Sequence, residues 1–165
     1  MRSPPRHTLL IVGGGEVATA LRTIAPALSW DPTVVDSLED AERIVATLGP
    51  ADSVVVLSHH VGVDAAALAA ALSSEAGYIG AMGSRRTQAR RRDAMLASGV
   101  TEDLVDSIRG PAGLDIGADT PGEIAVSMLA EIIAVHRGVS GGSLSARPGP
   151  IHPDLPPGAA ECPAE

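Results

Sequence analysis

Three glycines, Gly13, Gly14 and Gly15, follow directly on the apolar run 9–12, and an amphipathic pattern begins at Glu16 and Val17. In the spacing Gly13-x-Gly15-x-x-Ala18 the first glycine permits a tight turn. The second leaves room for a diphosphate, and the alanine lets the next helix pack close to the strand. Unpaired N–H groups at the start of such a helix attract an anion. Asp36 stands 21 residues after Gly15, close to the offset of roughly 20 at which a carboxylate accepts from a ribose hydroxyl. An acid there favours a cofactor without a 2′-phosphate, so NAD or the adenosine half of FAD. The plainer alternative is a strand-to-helix turn that binds nothing.

Other chemistry-bearing residues fall where apolar runs end. Ser58 and His59 close the run 53–58. Consecutive residues on extended chain point opposite ways, so His59 and His60 do not share one metal ion. No catalytic residue is firmly indicated; His59 is the one candidate, as a hydrogen-bonding or proton-handling group, against an equal case for a routine structural bond. Gly83 and Ser84 open a helix whose first turn holds Arg85 and Arg86. Cations oppose the helix dipole at that end, which points to an anion there. Arg90, Arg91 and Arg92 read as solvated or partner-facing. Asp115 lies in a glycine-flanked loop, where a carboxylate either touches ligand or accepts local backbone N–H groups. Thr120-Pro121-Gly122-Glu123 is explained as a helix cap. Tyr78 reads as core with its hydroxyl at the edge.

These residues need strands and helices to position them. Strands are expected at 8–12, at 32–36, at 53–58 and at 77–82, with a brief fifth at 107–109. Helices are expected at about 15–28, from a Ser37/Asp40 cap to Leu48, at 63–75, from Ser84 to Ser98, briefly after Thr101, and from Thr120 to Arg137. Alternating strands and helices give an α/β fold: a Rossmann-like parallel sheet of about five strands with helices on both faces. Residues 1–139 form that domain. Six of the 13 prolines fall in 140–165, which reads as a disordered Pro/Gly-rich tail.

Composition narrows the function. The chain has 165 residues, 45% hydrophobic, with a net charge of −8, no Phe, one Trp and one Tyr. Net negative charge and the want of aromatics argue against a nucleic-acid partner. All 12 cations are Arg, so there is no Schiff-base or P-loop lysine. The one cysteine, Cys162, excludes an internal disulfide and multi-cysteine metal sites, and it lacks the electropositive neighbours of a persulfide carrier. The apolar runs are too short for a membrane span or signal peptide. A cytoplasmic protein with no membrane partner is expected.

The stretches "LLIVGGGEVATAL", "VVVLSHHVGVD" (54–64), "YIGAMGSRRTQARRR" (78–92) and "GPAGLDIGADTPGEIAVSMLAEIIAVHRG" (110–138) occur in this order. Together they resemble the C-terminal Rossmann domain of the XdhC/CoxI family, accessory proteins of xanthine dehydrogenase and related molybdenum hydroxylases. The resemblance implies a maturation role: binding molybdenum cofactor, protecting it while its sulfido ligand is installed, and assisting its delivery. It implies a molybdenum hydroxylase such as xanthine dehydrogenase and a cysteine desulfurase-type sulfurtransferase as partners. Family members carry an N-terminal domain before this unit, which implies a separate protein supplying it in trans. The chain departs from the family in having His59-His60 where His-Asp is usual, though Asp64 is in place. The segment 36–54 is also shorter. With one strand–helix unit deleted there, the strand order becomes 2-1-3-4-5, with the ligand crevice between the first and third strands.

Three functions follow as alternatives: an accessory factor binding molybdenum cofactor or a dinucleotide; a small NAD(P)- or FAD-dependent oxidoreductase; and a ligand-free protein-interaction module. The first makes the chain an accessory protein rather than an enzyme. A homodimer is one of its open oligomeric states.

Overall fold

Each apolar run forms a strand, and each strand returns to the sheet through a helix, so the sheet is parallel throughout. A computed structural model describes residues 7–58, 60–149 and 151. The strands β1 (His7–Val12), β2 (Trp30–Val35), β3 (Ser53–Val56) and β4 (Tyr78–Ala81) lie in the order β2-β1-β3-β4. The helices are α1 (Glu16–Ile24), α2 (Leu38–Val45), α3 (Val61–Leu72), α4 (Arg85–Ala97), α5 (Glu102–Asp106) and α6 (Pro121–His136).

Both faces of the sheet are covered, which is why its central strands are apolar at consecutive positions, Leu9–Val12 and Val54–Val56. Side chains alternate across the sheet with period two. Leu9, Ile11, Val55 and Leu57 join Leu21 of α1 and Met128 and Ile132 of α6 in one layer. Leu10, Val12, Val54 and Val56 join Val45 of α2, Leu68 of α3 and Met95 of α4 in the other. Leu9, Leu10 and Ile11 are wholly buried, and each contributes about 1.5–3 kcal/mol by leaving water. The alanines of α3 (Ala65, Ala67 and Ala71 are buried) bring that helix close to the sheet.

Two expected elements come out differently. The sheet has four strands rather than about five. The segment expected as a fifth makes a single parallel bridge, Gly80 to Arg109. Arg109 N donates to Ile79 O (2.9 Å) and Ala81 N to Arg109 O (2.8 Å). Pro111, two residues on, has no N–H to continue a ladder. The first helix also ends earlier than expected, at Ile24, and Ala25–Leu28 continue as a 3-10 turn containing Pro26. The caps at Ser37, Ser84 and Thr120 fall as read, whereas Thr101 precedes α5 without a side-chain cap bond. Ser37 Oγ accepts from Asp40 N (3.1 Å), and Thr120 with Glu123 forms a full capping box on α6. Residues 140–149 are exposed and hold one 3-10 turn, Leu144–Ala146. No helix of the described residues is long and apolar enough to cross a membrane.

Candidate functional site

The carboxyl ends of β1, β2, β3 and β4 meet along one edge, with the switch in connection direction between β1 and β3, where open α/β sheets bind ligands. Gly13 leaves β1 with φ 103°. Its N–H donates to Val35 O (2.8 Å), which ties the turn to β2. A Cβ there would stand 2.9 Å from Ser58 N, so only glycine fits against the end of β3. Gly15 has φ 102° and caps α1 without any side-chain hydrogen bond. Nothing lies within 4 Å of where its Cβ would be. The first amides of α1 have no partner inside the helix, so Glu16 and Val17 present N–H groups at an uncovered turn. Glu16 is exposed in that first turn and Val17 is half-buried.

Asp36 follows β2 directly and is exposed. Its Oδ1 comes within 3.6 Å of a Cβ position at Gly14, so the carboxylate and the glycine turn share one corner. Ser58, half-buried, abuts Gly13, and its Oγ accepts from His60 N (3.1 Å). His59 lies outside the described residues, as does Cys162. At the end of β4, Gly83 adopts φ 127° and Ser84 caps α4, its Oγ accepting from Thr87 N (3.2 Å). Arg85 and Arg86 are exposed in the following turn and form no ion pair among the described residues. Arg85 and Asp115 line a common concavity of about 460 Å³, together with Leu114, Ile116 and Ile124. Asp115 itself is exposed. No group of three His, Cys, Asp or Glu able to hold a metal ion occurs among the described residues.

The arginine run requires a correction. Arg91 is not solvated; it is 2% exposed and paired with the fully buried Asp64 of α3. Arg92 pairs with Glu102 and Asp106 of α5. Only Arg90 of the three is exposed as expected. The signal that could have separated them is Met95, four residues beyond Arg91 and 1% exposed, which marks that side of α4 as the buried one.

Two further polar clusters escaped the sequence. Tyr78 is core, as expected, and its hydroxyl donates to Glu131 Oε2 (2.6 Å), which also accepts from Gly113 N (2.9 Å). Burial, reinforced by that carboxylate, pushes the phenol well above its ordinary range. At the opposite, amino edge of the sheet, His7 stacks on Trp30 at 4.0 Å and meets the edge of His136 at 4.9 Å. His136 Nε2 is 3.0 Å from Ser53 Oγ. Burial, and then the neighbouring His136, hold His7 down at about 4, against the opposing pull of Asp52. None of this adjoins the glycine turn.

The XdhC Rossmann domain family matches residues 9–132. The chain is 37% identical over 158 residues to a probable subunit of xanthine dehydrogenase from Bacillus subtilis, covering 84% of this chain and 46% of that protein. It is 28% identical over 131 residues to the molybdenum cofactor insertion chaperone PaoD of Escherichia coli, covering 79% of this chain and 41% of that protein. An uncharacterised Escherichia coli protein, YqeB, is 29% identical over 90% of this chain and 30% of its own length. A crystal structure of a xanthine dehydrogenase from Bacillus halodurans superimposes with a TM-score of 0.64 at 28% identity, over 81% of this chain and 44% of that one. The chain thus spans less than half the length of the curated relatives it matches.

Proposed function

The chain belongs to the XdhC family through its Rossmann domain, and on that premise we propose that it is an accessory factor in the maturation of a molybdenum hydroxylase, with molybdenum cofactor as its cargo. The observation that carries this reading is the uncovered turn at Gly15. An uncapped helix start, a glycine with nothing within 4 Å of its Cβ position and the Asp36 carboxylate beside it form a place for a phosphate-bearing ligand. Gly14, Gly15, Glu16 and Val17 would hold the phosphate through backbone N–H groups, while Gly13, whose own N–H is bound to Val35 O, would shape the turn. Asp36 would accept from a ribose hydroxyl where the cargo carries a nucleotide. Ser58, Gly83, Ser84 and the concavity of Arg85 and Asp115 would take the rest of it, with Arg85 and Arg86 facing its anionic groups. The relatives named for xanthine dehydrogenase and for molybdenum cofactor insertion support the choice of cargo, and a xanthine dehydrogenase-type enzyme as the protein it is handed to.

The test is native mass spectrometry of the purified protein, followed by titration with molybdopterin. A pterin is expected to co-purify. Arg85→Ala with Arg86→Ala is expected to weaken molybdopterin binding about tenfold or more, with the thermal midpoint unmoved because both side chains are exposed. Silence toward molybdopterin, together with NAD or FAD as the co-purifying ligand, would overturn the reading.

A further inference from the structure

Arg91 lies in α4, yet its guanidinium reaches the ends of two strands. Nη2 donates to Ser58 O (2.8 Å) beyond β3, and Nη1 donates to Met82 O (2.5 Å) beyond β4. Nε (3.1 Å) and Nη2 (2.7 Å) both donate to Asp64 Oδ2. One planar cation therefore joins α3, α4 and the two turns that open the crevice. Ser58 presses against Gly13 in turn, and a Cβ on Gly83 would stand 3.3 Å from Arg91 Nη1. The glycine turn is thus joined to this group through Ser58, and the start of α4 through Gly83.

We infer that the Arg91–Asp64 pair is a positioning device for the cofactor crevice, setting the β3 and β4 turns at a fixed separation; this rests on the reading of that crevice as the cargo site. Two observations favour positioning over bulk stability. A buried ion pair is weak support for stability, because withdrawing two charges from water offsets their attraction. And the network is not closed: Asp64 Oδ1 is buried and has no hydrogen-bond partner among the described residues, a condition that buried polar groups rarely keep without a functional reason or an added partner. Guanidinium geometry is what allows three acceptors to be held in one plane; an ammonium is a point charge and cannot reproduce it.

The experiment compares wild-type full chain, Arg91→Lys, and Arg92→Ala, whose lost partners are exposed. Amide hydrogen exchange is followed at Leu57, His60, Met82 and Thr87 around the crevice. It is also followed at Thr8 and Gly77 on the amino edge, whose N–H groups are bonded to Asp52. Arg91→Lys is expected to speed exchange about tenfold or more at the crevice amides, with the amino edge unchanged. In the same variant ADP, the diphosphate probe, is expected to bind about tenfold more weakly. Arg92→Ala is expected to alter neither. Should Arg91→Lys fail to fold, the double change Arg91→Met with Asp64→Leu removes both charges and is read in the same way. Uniform acceleration at both edges, or unchanged crevice amides, overturns the inference. If wild type binds neither ADP nor molybdopterin while the crevice amides still respond to Arg91→Lys, the positioning role stands and the cargo reading fails.

Discussion

Gly13 and Gly15 share a positive φ, 103° and 102°, but have opposite surroundings. At Gly13 a methyl would meet the backbone of Ser58 at 2.9 Å; at Gly15 it would meet nothing. Both positions carry a conformational penalty for alanine of about 1–3 kcal/mol. Gly13→Ala adds a clash with backbone that has nowhere to move, so urea unfolding is expected to show it the more damaging of the two. Gly15→Ala is expected to retain more stability but to weaken ADP binding, because its methyl stands in the open approach to the α1 amides. The glycine spacing and the offset to Asp36 were legible in sequence because both are local constraints on backbone shape and strand length. Arg91 was not, since five arginines within eight positions look alike until the packed side of α4 is known. The Tyr78–Glu131 bond spans 53 residues and left no local mark.

Helix starts differ in the same informative way. Helix α6 is closed by its own chain: Thr120 Oγ1 accepts from Glu123 N, and Glu123 Oε2 accepts from Thr120 N (2.9 Å). Those bonds hold the Glu123 carboxyl below its usual range. Helix α1 has no such side chain. Thr120→Ala is therefore expected to cost about 1 kcal/mol in urea unfolding and to leave ADP affinity unchanged, since the proposed phosphate site is the start of α1. A loss of affinity in that variant would place the ligand at α6 instead. Strand positions were readable from apolar runs to within two residues at each end, but the expected fifth strand was not separable from a single bridge. Ile108 and Arg109 have the composition of a strand end, whereas the stop is imposed by where Ala112 N finds its partner, Ala81 O at 3.0 Å.

The molecule has two unlike edges. Its carboxyl edge carries the glycine turn and Asp36; its amino edge carries the His7, Trp30 and His136 cluster. In the folded chain His7 takes a proton near 4, and in the unfolded chain near 6.5. The unfolded state therefore binds more protons between those values. The contribution of His7 to stability is complete above 6.5 and is lost as pH falls towards 4. His136 is also held below its ordinary value by burial and acts in the same direction. Because the protein has one Trp, its fluorescence reports this edge alone. Emission is expected to drop as the stacked imidazole becomes charged, with a midpoint nearer 4 than 6.5, and the step is expected to vanish in His7→Gln. ADP should not shift it; a midpoint that moves with ligand would mean the two edges are coupled. The sequence by itself determined the class of fold, the alternation of elements, the caps and the glycine turn, because each depends on residues within a few positions of one another. Only the tertiary structure decided which arginine is buried, that four strands suffice, and that Ser58, Asp64, Met82 and Arg91 converge. Those depend on which side of each helix faces the sheet, and packing settles that over separations of 27 and 33 residues.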